Sequence, residues 1–121
     1  MGQLSDNRQL RRSKISWPMG AADFIIEAYA ATLAVDLWNK KTFLTVGQLV
    51  DDITINTTFE ALEAGATLSI KLSADGTNRT YTPGVGFLNQ VAIVVALNTS
   101  RVVTYEFDGT GFNLISNNLS S

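Results

Sequence analysis

Residues 90–116, QVAIVVALNTSRVVTYEFDGTGFNLIS, decide the fold class of this chain. Val91, Ile93, Val95 and Leu97 fall on every second residue, as do Val103, Tyr105 and Phe107, with Phe112 and Leu114 after them. Alternation of this kind puts one set of side chains on one face of a sheet, so the stretch reads as three consecutive strands. Asn98-Thr-Ser100 and Asp108-Gly-Thr-Gly111 separate them, and Asn, Asp and Gly tolerate the left-handed conformations of tight turns. The expectation is a C-terminal antiparallel meander.

Working outward, Thr67–Ser73 alternates strictly, with Leu68, Ile70 and Leu72 facing in. Asp75-Gly76 turns the chain into Arg79–Thr82, and Pro83-Gly-Val-Gly86 forms a loop before the meander. Thr42–Val46 and Ile53–Thr57 are shorter strands. Glu60–Gly65 reads as a connection with one helical turn closed by Gly65. Residues 21–37, AADFIIEAYAATLAVDL, fit a helix through their alanines and a strand through their second half, and a strand is assigned from about Tyr29. The tail after Ser116 is polar and expected to fray. About eight short strands at near-regular spacing predict an all-β fold, an antiparallel β-sandwich or jelly-roll-like domain over residues 21–121. No internal repeat of 20–50 residues is visible.

The 121 residues suffice for one domain with a real core, and 45% hydrophobic against 17% charged residues fits a globular chain. The chain contains no cysteine and no histidine, which removes disulfides, thiol nucleophiles, imidazole or thiolate metal sites and the commonest general base. Charge is uneven. Residues 1–20 hold Arg8, Arg11, Arg12 and Lys14 against Asp6, while the rest carry five basic and ten acidic groups. Residues 1–20 read as a basic anchoring arm, with a short helical turn over Asp6–Arg12 and with Ile15 and Trp17 as apolar pegs. Met1-Gly2 reads as a natural start. No signal peptide or bilayer-length apolar run appears, and a soluble chain is expected.

Candidate chemistry is sparse. Adjacent carboxylates on an extended chain point to opposite faces, so Asp51-Asp52 reads as a solvated loop. Asp108-Gly-Thr-Gly111 and Asp75-Gly-Thr77 lack the lysine and the strand–loop–helix setting of a phosphate loop and read as turns. Without histidine, a serine or threonine nucleophile has no partner to activate it, so no enzyme, cofactor or metal is expected. Trp38, Tyr81 and Arg79 are the candidates for contact with a receptor or glycan, since aromatics stack on sugar rings. The arm's four cations lack interleaved aromatics, and nucleic acid is not the expected partner.

Val35-Asp36-Leu37, Ile53-Thr54-Ile55-Asn56, Ala64-Gly65, Asp75-Gly76-Thr77 and Phe107-Asp108-Gly109-Thr110 together resemble a β-sandwich module of phage tail fibres and head fibres or capsid decorations. The resemblance covers roughly residues 29–116 and is a pattern of turns and faces. The chain departs from it after Tyr81, where Thr82-Pro83-Gly84 replaces a tryptophan-proline segment, and in the arm. It implies an enzymatically silent, trimeric module on the surface of a virion. The corresponding expectation is a head fibre or capsid decoration protein docked on the major capsid protein through Arg8, Arg11, Arg12, Lys14 and Trp17. The alternative is a receptor- or carbohydrate-binding tail-fibre module that recognises a host-surface glycan. A tail fibre needs a long shaft, and only the arm precedes the module here. Val94, Val102 and Ile115, out of phase with the core set, are available for a threefold interface or for the second sheet.

Overall fold

The structure is a computed structural model and describes residues 22–119. The arm assigned to residues 1–20, with Arg8, Arg11, Arg12, Lys14 and Trp17, lies outside the described residues. Nine strands follow one another, with no helix among the described residues. They are β1 (Asp23–Glu27), β2 (Thr32–Leu37), β3 (Lys41–Val46), β4 (Ile53–Phe59), β5 (Thr67–Ser73), β6 (Arg79–Pro83), β7 (Ile93–Val95), β8 (Ser100–Phe107) and β9 (Phe112–Leu119).

Two sheets result, one ordered β1-β3-β5-β8-β9 and the other β2-β4-β6-β7. From β1 to β6 the chain changes sheet at every turn, so each strand pairs with the one two places on. These pairings, β1 with β3, β3 with β5, β2 with β4 and β4 with β6, are parallel. Antiparallel pairing begins only later, in β6–β7, β5–β8 and β8–β9. The expected antiparallel architecture is therefore corrected for the first two thirds of the chain. A parallel pair needs a crossover, and here the intervening strand of the opposite sheet provides it in place of a helix. Turn residues announce a reversal of direction, but they do not say which sheet receives the next strand.

The other corrections are local. β1 occupies Asp23–Glu27 and is separated from β2, so the strand assigned from Tyr29 begins at Thr32. Glu60–Gly65 forms no helical turn, because Ala61, inside the segment, takes a positive φ of 58°. The first strand of the presumed meander shrinks to Ile93–Val95 and pairs with β6, leaving Val91 and Leu97 exposed. Beyond Ser116 the described residues do not fray: Asn117, Asn118 and Leu119 pair with Val103, Val102 and Arg101.

The alternation does its predicted work in the core. Leu44, Val46, Leu68, Ile70, Leu72, Val103, Tyr105 and Phe107 face inward from the five-stranded sheet and meet Val35, Leu37, Ile53, Ile55, Tyr81 and Val95 from the other in one buried cluster. The Tyr81 and Tyr105 hydroxyls, 2.9 Å apart, join the sheets through a buried polar pair inside this cluster. Phe59 packs edge to face on Phe107 and Phe112, with ring centroids 4.7 and 5.9 Å apart, and the latter two rings lie tilted at 5.1 Å.

Candidate functional site

The outer face of the five-stranded sheet is graded. Register aligns Phe24, Phe43, Ser69, Thr104 and Ser116 in one cross-strand row, and Ile26, Thr45, Lys71, Val102 and Asn118 in the next. The row ends on β8 and β9 are mostly hydroxyl and amide groups, and Ser69 and Thr104 hydrogen-bond at 3.1 Å. The ends on β1 and β3 are apolar: Phe24 is 74% exposed, Ile26 83%, and the Phe24 and Phe43 rings stack at 5.1 Å. β1 is also the outermost of the described strands in its sheet. Large apolar side chains thus gather on the outer face at that margin of the sheet, an arrangement that invites association.

The three residues singled out for receptor contact are not brought together. Trp38 follows β2 at one end of the four-stranded sheet, half-buried beside a shallow hollow of about 180 Å³ shared with Lys40 and Glu63. Arg79 opens β6, and the parallel register puts it at the opposite end, level with the start of β4. Tyr81 has no exposed surface and its hydroxyl is engaged by Tyr105, which corrects its assignment as a contact residue: its in-phase position on β6 turns it into the core.

Arg79 is paired with acidic neighbours. Its Nε and Nη2 donate to the two Asp75 carboxylate oxygens at 3.0 and 2.9 Å, and Asp51 lies 4.0 Å away. The guanidinium holds the Asp75 carboxyl below its ordinary value, and the Asp75 carboxylate raises Arg79 in turn. Close by, Asp52 accepts the Thr80 N–H at 2.9 Å and its carbonyl accepts the Tyr29 hydroxyl at 2.8 Å. Burial, and then the charges of Asp51 and Asp52, push the Tyr29 phenol upward. This network ties together the loops at one end of the sheets.

A depressed carboxyl contributes stability in full above its ordinary value of 3.8, and loses it as pH falls through the lower folded value. Asp75→Asn is therefore expected to lower the melting temperature at neutral pH, with the gap to the parent closing in acid. Thermal melts followed by circular dichroism at pH 7 and at about pH 2.5 check this, and an undiminished gap in acid contradicts it.

The Asp-Gly turns use their own amides. Asp108 accepts the Thr110 and Gly111 N–H groups at 2.8 and 3.0 Å, with Asn113 adding a third bond at 3.2 Å. The Gly111 and Thr110 amides hold its carboxyl below the usual range. A phosphate would find these donors taken, which accounts physically for the turn reading.

One inward position carries charge that sequence inspection passed over. Arg101 alternates in phase with Val103, Tyr105 and Phe107, and so lies on the inner side of β8 opposite Leu72. It borders a cleft of about 380 Å³ between the free edges of β7 and β9, which Asn89, Val91, Ile93, Leu114 and Asn117 also line. The missed signal was an arginine at an inward position of an otherwise apolar alternation.

No group of three or more His, Cys, Asp or Glu side chains able to hold a metal ion exists among the described residues, and no described helix is long and apolar enough to cross a membrane. No family model matches the chain, and no curated protein matches it.

Proposed function

We propose that this chain is a non-enzymatic structural protein of a phage particle, a head fibre or capsid decoration protein exposed on the virion surface. In this reading its two sheets form a sandwich built largely from parallel coils, and it assembles as a homotrimer. Its basic N-terminal arm contacts the major capsid protein through Arg8, Arg11, Arg12, Lys14 and Trp17. The observation that carries the reading is the exposed Phe24–Ile26–Phe43 surface on the outer face of the five-stranded sheet. Large apolar side chains of this exposure gain most when a partner covers them. The resemblance of residues 29–116 to phage virion modules supports the setting, and a sequence without histidine or cysteine supports a non-catalytic role.

The test measures molar mass by light scattering and then cosedimentation with undecorated capsids. The parent is expected to be a trimer that pellets in saturable amounts. Phe24→Ser with Ile26→Ser is expected to give a monomer. Replacing Arg8, Arg11 and Arg12 by glutamate is expected to leave the trimer intact and abolish pelleting. A monomeric parent refutes the assembly, and a parent that stays in the supernatant refutes the capsid docking.

A receptor- or carbohydrate-binding module is the second reading. Trp38, half-exposed beside its hollow with Lys40 and Glu63, favours it. It proceeds without Tyr81, and with an Arg79 already held by Asp75.

A further inference from the structure

The two inward arginines of the fold are treated differently. Arg79 is closed by a bidentate carboxylate, with a second acid 4.0 Å away. Among the described residues Arg101 hydrogen-bonds to the Asn117 side-chain oxygen alone, at 3.4 Å, and forms no ion pair. Most of its five fork-arranged donors remain unused, in a half-buried position where water serves them less well than in the open.

The surroundings sharpen the contrast. Residues 21–121 contain twice as many acidic as basic side chains, yet among the described residues none that is acidic lines this cleft. The walls are Val91, Ile93 and Leu114 with the amides of Asn89 and Asn117. Val91 is 66% exposed and Leu114 40%, so their apolar surface awaits cover. The volume of about 380 Å³ lies at the small end of the range for sites that take compact organic molecules.

We infer that the cleft between the edges of β7 and β9 is a binding site for a compact carboxylate with an apolar body, with Arg101 as its counter-charge. The carboxylate supplies to Arg101 the fork-to-fork pairing that Asp75 supplies to Arg79. The apolar body lies against Val91, Ile93 and Leu114, and Asn89 and Asn117 offer amide donors at the rim. The site is separate from the Phe24–Ile26–Phe43 surface and does not depend on the virion reading.

The test titrates full-length ¹⁵N-labelled protein with phenylacetate, its uncharged isostere phenylacetamide, and glucuronate, following amide chemical shifts. Phenylacetate is expected to give saturable shifts centred on Ile93, Arg101, Leu114 and Asn117, and to bind at least about tenfold more tightly than phenylacetamide, as a charge-assisted bidentate pair requires. Arg101→Gln is expected to weaken phenylacetate by a similar factor, and Arg101→Lys by less, because a single ammonium keeps the charge but loses the fork. Equal affinity for phenylacetate and phenylacetamide overturns the role of charge without recourse to any variant. Glucuronate binding more tightly than phenylacetate overturns the apolar-body assignment. Shifts that do not saturate, or that lie away from these residues, overturn the site.

Discussion

Gly86→Ala is expected to destabilise the fold by about 3–5 kcal/mol, the sum of left-handed strain and a lost buried contact. Gly86 has φ +95°, a region closed to alanine without strain. A Cβ there would collide with the Thr57 hydroxyl, and would stand 3.2 Å from the Thr57 Cβ and 3.4 Å from the Phe59 ring. Thr57 cannot retreat easily: it is 2% exposed, and its hydroxyl and amide both donate to the Val85 carbonyl, at 3.0 and 2.8 Å. The surrounding loop is stitched to both sheets. Gly84 N–H donates to Ile55, Val85 N–H to the Asn56 side chain, and the Gly86 carbonyl accepts from Phe112. Gly76→Ala is the control, since nothing lies within 4 Å of its added Cβ and it is expected to unfold like the parent. Urea unfolding of the three proteins decides the matter, and equal midpoints for Gly86→Ala and Gly76→Ala would refute it.

The second large effect concerns the hydroxyl pair between the sheets. Tyr81→Phe leaves the Tyr105 hydroxyl buried without its partner, at a cost of about 1–3 kcal/mol. Tyr105→Phe does the same to Tyr81. The double variant removes both polar groups and is expected to recover most of the loss, so the two changes are strongly non-additive. pH gives an independent readout. Burial raises both phenols above their ordinary value of 10.0. A raised group contributes its stability fully below that ordinary value and loses it as pH climbs toward the folded value. The parent should therefore lose stability above about pH 10, and the double variant should lose less. Additive single effects in a denaturant cycle would show that the hydroxyls do not interact.

Much of this architecture was legible because alternation records burial directly. Leu68, Ile70 and Leu72, and Val103, Tyr105 and Phe107, face inward as their spacing predicts. Strand partnership was not legible. The chain bends at Asn39–Lys40 between β2 and β3, yet the two strands enter different sheets, and nothing in a local turn encodes which sheet the next strand joins. Helical propensity in residues 21–37 and the Ala-Leu-Glu-Ala run were local signals that tertiary pairing overrode. At the sites, in-phase placement would have buried Tyr81 and exposed the oddity of Arg101. Aromatic and charged character drew notice first. The separation of Trp38 from Arg79 needed the parallel register, which residue spacing does not contain.

That register also bears on the order in which the chain can assemble. The β8–β9 hairpin closes over the few residues between Phe107 and Phe112, whereas the parallel pairs must bring Asp23 to Thr42, Lys41 to Thr67 and Ile53 to Tyr81. Each of these larger closures costs more chain entropy and recovers nothing until the intervening strand has docked on the opposite sheet. The hairpin is thus the cheapest nucleus, and the strands paired across longer loops join it afterwards, with β1, outermost of the described strands in its sheet, the last. Substitutions in β8 and β9 should slow folding, while those in β1 should mainly hasten unfolding. The strand that carries the exposed Phe24 and Ile26 is then the last to lock and the first to come loose.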